Sequence, residues 1–283
     1  ISIWPDTRIP GLILFILAVY YFLKFMHSPK YKYVWFCSIW LIISSYISPN
    51  FSIFSIYFYF IFYKQLSVVK FSKLILFNLI ASMPILFYLF VLDVNFLTAG
   101  KTPGLDGENV SLNFNLSNKI LIISSIIFFH LLPVFIYTLD YKKFFNFLRQ
   151  KKIQIFVLSL ILFYFFNYNS SLTGGGFFFQ LSQFFFGNDF LFFFISFFSL
   201  SILFYLFSLN FNNFFIITLI ILSNIQMTIY HKYYEPLILI IFFLLFKNLD
   251  YKNFFLNKKS LLSLYIYSIF FIIMRLVKNV YLV

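Results

Sequence analysis

The sequence contains few charged side chains and only one cysteine, and these absences exclude several kinds of site. Only 10% of its 283 residues are charged, and eight of those are acidic. Cys37 has no second cysteine with which to form a disulfide within the chain, and its position in an apolar run is typical of a buried, unreactive thiol. The three histidines, His27, His130 and His231, lack the spacing of metal ligands.

Apolar residues are present in large excess. They make up 62% of the chain, the mean hydropathy is +0.93, and there are 49 phenylalanines and 21 tyrosines. A soluble domain fills its core with far fewer apolar side chains, so the composition predicts a polytopic membrane protein. The phenylalanine excess is interpreted as a compositional bias that fills lipid-facing positions.

Apolar runs of helical length predict an all-α transmembrane helical bundle of about ten spans, forming a single domain over residues 1–283. The predicted spans lie near Ile9–Met26, Val34–Ser48, Phe51–Tyr63, Leu74–Leu92, Ile120–Thr138, Ile153–Phe166, Phe190–Ser208, Phe214–Met227, Pro236–Phe246 and Leu261–Met274.

Basic residues are distributed unevenly between alternate loops. One set of loops carries 15 of the 21 basic residues, and the positive-inside rule assigns these loops to the cytoplasm. The N-terminus of the sequence is then on the outer side, as are six of the eight acidic residues. We expect a multi-pass protein of a bacterial cytoplasmic (inner) membrane. The net charge of +13 lies in short loops that suit anionic lipid headgroups, so membrane lipids are expected partners and nucleic acid is not.

Two long outer loops carry polar residues. Asp106 and Glu108 lie in the loop Asp93–Lys119, where a solvated turn is favoured, although a divalent metal is compatible with the pair; no cofactor or metal site is predicted with certainty. The triple glycine Gly174–Gly176 is not followed by the Gly-Lys-Ser/Thr of a P-loop, so a flexible re-entrant turn is preferred to a phosphate cradle. The phenylalanine-rich stretch after it is typical of an interfacial helix.

Two further patterns remain open between structural and functional interpretations. His130 lies within a predicted span, where an ionisable group is a functional candidate, but a neutral imidazole bonded to a carbonyl freed by Pro133 explains it equally well. The heptapeptides LDYKKFF from Leu139 and LDYKNFF from Leu249 indicate either a duplication or, preferably, convergence on an Asp-capped turn with interfacial aromatics.

A polar cluster in IYHKYYEP precedes the ninth predicted span. Its members are His231, Lys232, Tyr233, Tyr234 and Glu235. Tyrosine and lysine commonly anchor the ends of spans at the interface. However, Lys232 lies outside against the charge bias, and Glu235 next to Pro236 would be costly at the mouth of a span without a partner. The cluster is therefore equally compatible with an interfacial belt and with a substrate site.

Two stretches resemble a known family. SIWPDTRIPGLILFILAVYYFLK, from Ser2, and IYHKYYEPLILIIFFLLF, from Ile229, resemble elements of the GT-C superfamily of polyprenyl-phosphate-sugar-dependent glycosyltransferases, with a distant likeness to the alpha-1,2-glucosyltransferases of N-glycan precursor assembly. The matched stretches cover roughly a sixth of the chain, and both motifs are loose.

The resemblance implies transfer of a sugar from a polyprenyl-phosphate carrier to a lipid-linked or other acceptor at the outer face. Asp6 and Arg8 match the outer Pro-Asp segment, and Lys232 with Tyr233 matches the late basic-Tyr pair, flanked by His231, Tyr234 and Glu235. The family carries its catalytic acidic residue in its first outer loop. We therefore expect an odd number of spans and the catalytic base to lie upstream of Ile1, with Asp6 as a secondary candidate.

Two other classes of function compete with the glycosyltransferase. A transporter or flippase of a lipid-linked or small polar substrate would require polar residues along facing spans, and the spans have few beyond His130. A structural or assembly subunit would tolerate alanine at Lys232 and Glu235.

Overall fold

The computed structural model describes residues 8–91, 115–169, 174–224, 229, 234–247, 249 and 251–281. Regular structure in these ranges is helical, without strands, as the sequence predicts. A 3-10 helix (Pro49–Phe54) leads into the third α-helix. The α-helices are α1 (Arg8–His27), α2 (Tyr31–Ile47), α3 (Ser55–Gln65), α4 (Val68–Phe90), α5 (Leu116–Thr138), α6 (Tyr141–Tyr164), α7 (Gly176–Phe186), α8 (Phe190–Leu209), α9 (Phe211–Leu222), α10 (Glu235–Leu245), α11 (Tyr251–Leu256) and α12 (Lys258–Tyr281).

Four helices in the described part of the chain are long and apolar enough to cross a membrane, judged by length and composition. They comprise Ile9–His27, Val68–Ile85, Leu116–Thr138 and Phe190–Leu209. Two helices that correspond to other predicted spans are shorter than these four: α3 and α10 have 11 residues each. Each helix is therefore roughly 16 Å long, whereas the hydrocarbon core of a bilayer is about 30 Å thick. The apolar helices support a membrane protein, and the count of about ten spans stays a prediction.

Contacts divide the chain into two compact units. The first comprises Ile1–Asn115 with Phe215–Met227, and the second comprises Leu116–Phe214 with Thr228–Val283. Each unit has its own buried apolar side chains. The prediction of a single transmembrane domain stays a prediction.

Phenylalanine forms much of the core of the first unit. Phe15 stacks on Phe51 with 5.0 Å between ring centroids, and Phe22 lies 4.8 Å from Phe58. The buried face of α1 follows the helical repeat of three and four residues; its members are Phe15, Ala18, Val19, Phe22 and Phe25. The interpretation of phenylalanine as lipid-facing filler is therefore too narrow, because these rings fill the space between helices.

Hydroxyl groups connect the helices of the first unit. Ser44 of α2 donates to the Gly11 carbonyl of α1 at 2.7 Å. Tyr59 of α3 donates to the side-chain oxygen of Asn78 on α4. Polar groups in apolar surroundings must be satisfied within the protein, so such bonds fix which helix faces meet.

Cys37 is fully buried on α2. Because a thiol must reach solvent and ionise to react, we expect a maleimide to modify Cys37 at least about 100-fold more slowly in the folded protein than after denaturation. Mass spectrometry after timed labelling measures this. Rapid labelling without denaturant would contradict the burial of α2 against its neighbours.

The second unit is built around α5. Within this unit α5 packs against α6, α7, α8, α10, α11 and α12. In its hydrophobic stretch of 18 residues, 72% of the residues are buried. Ser199 on α8 donates its hydroxyl hydrogen bond to the Ser124 carbonyl on α5. Small serine side chains allow two helices to approach closely and bond across their interface.

A buried asparagine joins α9 to the end of α10. Asn213, which is fully buried, accepts a hydrogen bond from the Lys247 amide and donates to the Lys247 carbonyl, both at 3.0 Å. It also donates to the Leu206 carbonyl at 3.2 Å. The side-chain amide thereby satisfies backbone groups that follow the last turn of α10.

The first of the two repeated heptapeptides begins a capped helix. Asp140 accepts a hydrogen bond from the Lys143 amide at 3.1 Å, which confirms the predicted cap and holds the pKa of the Asp140 carboxyl below its usual value. The contribution of the ionised cap is present above the ordinary pKa and is lost as pH falls through the lowered one. The matching positions Phe144 and Phe254 are both buried, whereas Asp250 lies outside the described residues.

Candidate functional site

Two of the elements that the sequence predicts to lie outside meet at Ile229. The Ile229 carbonyl accepts a hydrogen bond from the Gly175 amide at 2.9 Å. The Ile229 amide donates to the Tyr168 hydroxyl at 3.4 Å, and the Ile229 side chain is buried. Ile229 is the first residue of IYHKYYEP, so the glycine segment and the approach to the polar cluster lie together in the second unit.

The turn that reaches Ile229 requires glycine. Gly174 and Gly175 have φ of +119° and +82°, a region that side chains with a Cβ seldom adopt. A Cβ on Gly174 would lie 2.7 Å from the Ile229 oxygen, and one on Gly175 would lie 2.3 Å from the Phe179 ring. The triple glycine is therefore a tight turn pressed against another segment of backbone, and its predicted re-entrant placement in a membrane stays a prediction.

Side chains of α7 lock this turn in place. The side-chain amide of Gln180, which lies in the second turn of α7, donates a hydrogen bond to the Gly174 carbonyl at 2.5 Å. The buried Phe179 ring lies edge-on to Tyr168, with 5.2 Å between ring centroids. A Cβ on Gly176 would lie 2.9 Å from Ile126, so the start of α7 also approaches α5 closely.

An asparagine pair connects the turn region to the start of α5. Asn118 donates its side-chain amide to the Asn167 side-chain oxygen at 3.0 Å, and the Asn167 backbone amide donates back to the Asn118 side chain at 3.0 Å. Asn167 directly precedes Tyr168. Hydrogen bonds therefore run from α5 through the segment after α6 to Ile229. We call this set the Ile229 network: Asn118, Asn167, Tyr168, Gly174, Gly175, Gln180 and Ile229.

The far end of α7 is also bonded to its surroundings. Ser182 donates to the Asn188 carbonyl at 2.7 Å and accepts from the Phe192 amide at 3.1 Å. Partial burial raises the pKa of Asp189, and the hydrogen bond from Gln183 partly offsets this. The helix predicted after the triple glycine is confirmed as α7, and its placement at an interface stays a prediction.

Lys119 is a residue that the sequence analysis did not single out. It lies in the first turn of α5, one residue after Asn118, and only 4% of it is exposed. A cation is disfavoured at a helix N-terminus, and its burial adds a desolvation cost, so the interactions that Lys119 makes must compensate for both. The sequence shows an ordinary lysine before an apolar run, and only the packing reveals its burial.

The structure describes few of the predicted site residues. Arg8 begins α1 in the first unit, and Glu235 begins α10 in the second, but their side chains lie outside the described residues. Tyr234 is buried, with 3% exposed, and its carbonyl accepts the Ile238 amide at 2.8 Å. The predicted residues that lie wholly outside the described ranges are Asp6, His231, Lys232 and Tyr233.

His130 lies in an aromatic part of α5. Its ring centroid is 5.4 Å from that of Phe129 and 6.4 Å from that of Phe271. Its side chain is buried, with 8% exposed, so both interpretations of His130 remain compatible with its position. Among the described residues, no group of three histidine, cysteine, aspartate or glutamate side chains could hold a metal ion, and Asp106 and Glu108 lie outside them.

The Ile229 network contains a buried tyrosine hydroxyl, two asparagine side chains bonded to each other and a glycine turn in which Gly175 is buried. These groups hold protein segments together, and the network offers no nucleophile paired with a general base. A scan against protein-family models, a search of curated proteins and a search of solved structures each found no match to this chain.

Proposed function

We propose that this chain is a multi-pass membrane glycosyltransferase of the GT-C type. In this proposal it transfers a sugar from a polyprenyl-phosphate carrier to a lipid-linked or other acceptor at the outer face. The observation that carries the proposal is the meeting of the glycine segment with Ile229, since both were assigned to the same face from charge alone. A transferase at a membrane surface needs polar loops that converge on one side.

The proposed chemistry assigns a charge role to Lys232. The bond between the anomeric carbon and the carrier phosphate breaks, the acceptor hydroxyl oxygen bonds to that carbon, and the polyprenyl phosphate leaves with the electron pair. Lys232 neutralises the phosphate as its charge grows, and His231 contributes a further polar contact. The hydroxyl proton passes to a carboxylate base.

Tyr233, Tyr234 and Glu235 complete the proposed substrate site. The tyrosine rings offer faces for a sugar or for a prenyl chain, and Glu235 offers a hydrogen-bond acceptor for sugar hydroxyls. No metal is assigned to the reaction.

The proposed topology has about ten spans, with the N-terminus of the sequence outside, in a bacterial inner membrane. Four helices of sufficient length and the concentration of basic residues in alternate loops support it. Two cations assigned to the cytoplasm lie over aromatic rings at helix ends, Lys24 over Tyr20 at 4.5 Å and Lys64 over Phe60 at 4.1 Å. Such pairs are typical of lysines that extend from a span toward the headgroups.

A transporter or flippase is the second candidate function. The hydroxyls of Ser159 on α6 and Ser196 on α8 are buried and have no hydrogen-bond partner among the described residues. A substrate path between spans would use such groups. The glycosyltransferase is preferred because both serines are small enough to be explained by close packing of α6 against α8.

A photoreactive polyprenyl phosphate tests the proposed function. We expect it to label the purified protein, with labelled peptides that include the segment around residues 229–246. Unlabelled polyprenyl phosphate should compete at least about 10-fold better than the polyprenol that lacks phosphate, because the phosphate carries the charge that Lys232 binds. Equal competition by the alcohol would show that no headgroup is bound and would contradict the proposal.

A further inference from the structure

Four helices have their ends together at one end of the first unit. α1 and α3 finish there, and α2 and α4 begin there. The Tyr31 hydroxyl at the start of α2 donates to the Lys70 carbonyl in α4 at 2.9 Å, and the Lys70 ammonium lies 5.6 Å from the centroid of the Tyr31 ring. The side-chain amide of Gln65, at the end of α3, donates to the Met26 sulfur in α1 at 3.7 Å. The α1–α2 turn and the α3–α4 turn therefore lie side by side.

This end of the first unit concentrates positive charge. Six lysines lie within two helical turns of the four helix ends, and we call them the six-lysine surface: Lys24, Lys30, Lys32, Lys64, Lys70 and Lys73. All are exposed except Lys24, which is half-buried. The sequence contains no acidic residue between Asp6 and Asp93, so the four helices supply no counter-ion of their own. Like charges held close together repel one another, and a bound anion relieves that repulsion.

Tyrosine rings lie beside lysines of this surface. The Lys24 ammonium is 4.5 Å from the centroid of the Tyr20 ring and 5.8 Å from that of the Tyr33 ring. The Lys32 ammonium is 5.5 Å from the centroid of the same Tyr33 ring. A lysine that is attracted to a ring keeps its charge and loses part of its conformational freedom before any ligand arrives. Binding of an anion then costs less side-chain entropy than it would at freely moving lysines.

An exposed apolar stripe runs from the lysines along α4. Its members recur at helical spacing and are each more than half exposed: Val69, Leu76, Ile80 and Met83. Lys73 falls on the same face, four residues after Val69 and three before Leu76. In the hydrophobic stretch of α4, only 6% of the residues are buried. A ligand with an anionic headgroup and an acyl chain matches both the charge and the stripe, whereas a soluble anion matches the charge alone.

We propose that the six-lysine surface is a binding site for the headgroup of an anionic phospholipid, with an acyl chain along the exposed stripe of α4. The uneven distribution of basic residues predicts only a general attraction to anionic lipid. Helix ends joined through Tyr31 and Gln65 add a defined geometry to that attraction. The phosphate oxygens accept hydrogen bonds from lysines of both turns, and the acyl chain covers apolar side chains of α4. The site does not depend on the proposed sugar transfer.

Native mass spectrometry of the purified chain in detergent tests the site. Titration with phosphatidylglycerol and with phosphatidylcholine of the same acyl chains compares an anionic headgroup with a zwitterionic one. We expect phosphatidylglycerol to bind at least about 10-fold more tightly, because each nearby lysine adds to the attraction for its net negative charge. Equal affinity for the two lipids would overturn the proposal.

Two triple variants separate this site from the effect of net charge. The site variant carries three substitutions: Lys32→Gln, Lys70→Gln and Lys73→Gln. The control variant removes the same charge from exposed positions of α6 in the second unit: Lys142→Gln, Lys151→Gln and Lys152→Gln. We expect the site variant to bind phosphatidylglycerol at least about 10-fold more weakly than the wild type, and the control to bind it within about 2-fold. Equal weakening in both variants would show a diffuse attraction and would overturn the site.

Tyr31→Phe tests the geometry with every charge retained. It removes the hydroxyl that joins α2 to α4 and keeps the ring beside Lys70, so we expect phosphatidylglycerol to bind about 2- to 5-fold more weakly, the effect of one hydrogen bond. Tyr63→Phe, at an exposed position near the end of α3, is the matched control. The lipid-free melting temperature of each variant reports its folding. Wild-type affinity in a folded Tyr31→Phe variant would contradict the defined geometry.

Competition identifies the source of the bound phosphate. Glycerol 3-phosphate carries a phosphate and no acyl chain, and we expect it to displace phosphatidylglycerol at least about 100-fold less well than unlabelled phosphatidylglycerol does, because it leaves the stripe of α4 uncovered. Equal competition would identify a soluble phosphate as the ligand and overturn the lipid. Equal competition by a polyglutamate peptide would overturn it in favour of an acidic protein segment.

Discussion

Replacing Lys232 by alanine is expected to lower sugar transfer from a polyprenyl-phosphate donor by about 10²- to 10³-fold while expression stays normal. The reason is that loss of one preorganised charge at a developing anion removes transition-state stabilisation of that size. The measurement is the rate of transfer of radiolabelled sugar in membranes that contain matched amounts of each full-length variant.

Two further substitutions separate the charge of Lys232 from general effects. Lys232→Arg keeps the cation and should retain more activity than alanine, although its planar group will not reproduce the point charge fully. Lys152→Ala removes an exposed lysine of the set assigned to the cytoplasm and should leave the rate unchanged. Wild-type activity in Lys232→Ala would remove its phosphate-binding role.

Replacing Asn213 by leucine is expected to lower the free energy of unfolding by about 2–4 kcal/mol. Leucine has the same branching as asparagine but carries two bulkier methyl groups, and it leaves the Lys247 amide, the Lys247 carbonyl and the Leu206 carbonyl without their side-chain partner. The apparent melting temperature should fall by roughly 5–10 °C. Size-exclusion chromatography of detergent-solubilised protein after stepwise heating measures this.

The neighbouring residue provides the control for Asn213. Asn212 is only half-buried, so Asn212→Leu should shift the melting temperature by far less. Equal shifts in melting temperature for the two variants would show that the hydrogen bonds between Asn213 and Lys247 contribute little to stability. A higher melting temperature for Asn213→Leu would mean that burial of the side-chain amide destabilises the protein by more than its three hydrogen bonds stabilise it.

Local patterns in the sequence predicted the helices and their ends. The apolar run near Ile9–Met26 predicted the helix α1, and the Asp140 side chain ahead of an aromatic run predicted a helix cap. Both patterns depend only on residues that are neighbours along the chain. The third predicted span, Phe51–Tyr63, covers parts of both the 3-10 helix and α3, because one apolar run continues through the two elements.

Contacts between distant segments could not be predicted in the same way. Gly175 and Ile229 are separated by more than fifty residues, and nothing in either stretch specifies the other as its partner. The burial of Asn213 and of Lys119 likewise depends on which helices pack around them. The residues of the candidate site were therefore chosen by chemistry and resemblance, whereas the Ile229 network came only from the fold.

The most direct test of the central claim is the transfer reaction itself. Membranes containing the full-length wild-type protein would be incubated with a panel of polyprenyl phosphates, each carrying a different radiolabelled sugar, and the lipid and polymer fractions would be separated and counted. We predict that at least one donor loses its sugar to an acceptor in a protein-dependent manner, with free polyprenyl phosphate as the second product. Protein-dependent movement of an intact donor across the membrane, without any transfer of label, would contradict the glycosyltransferase and favour the flippase.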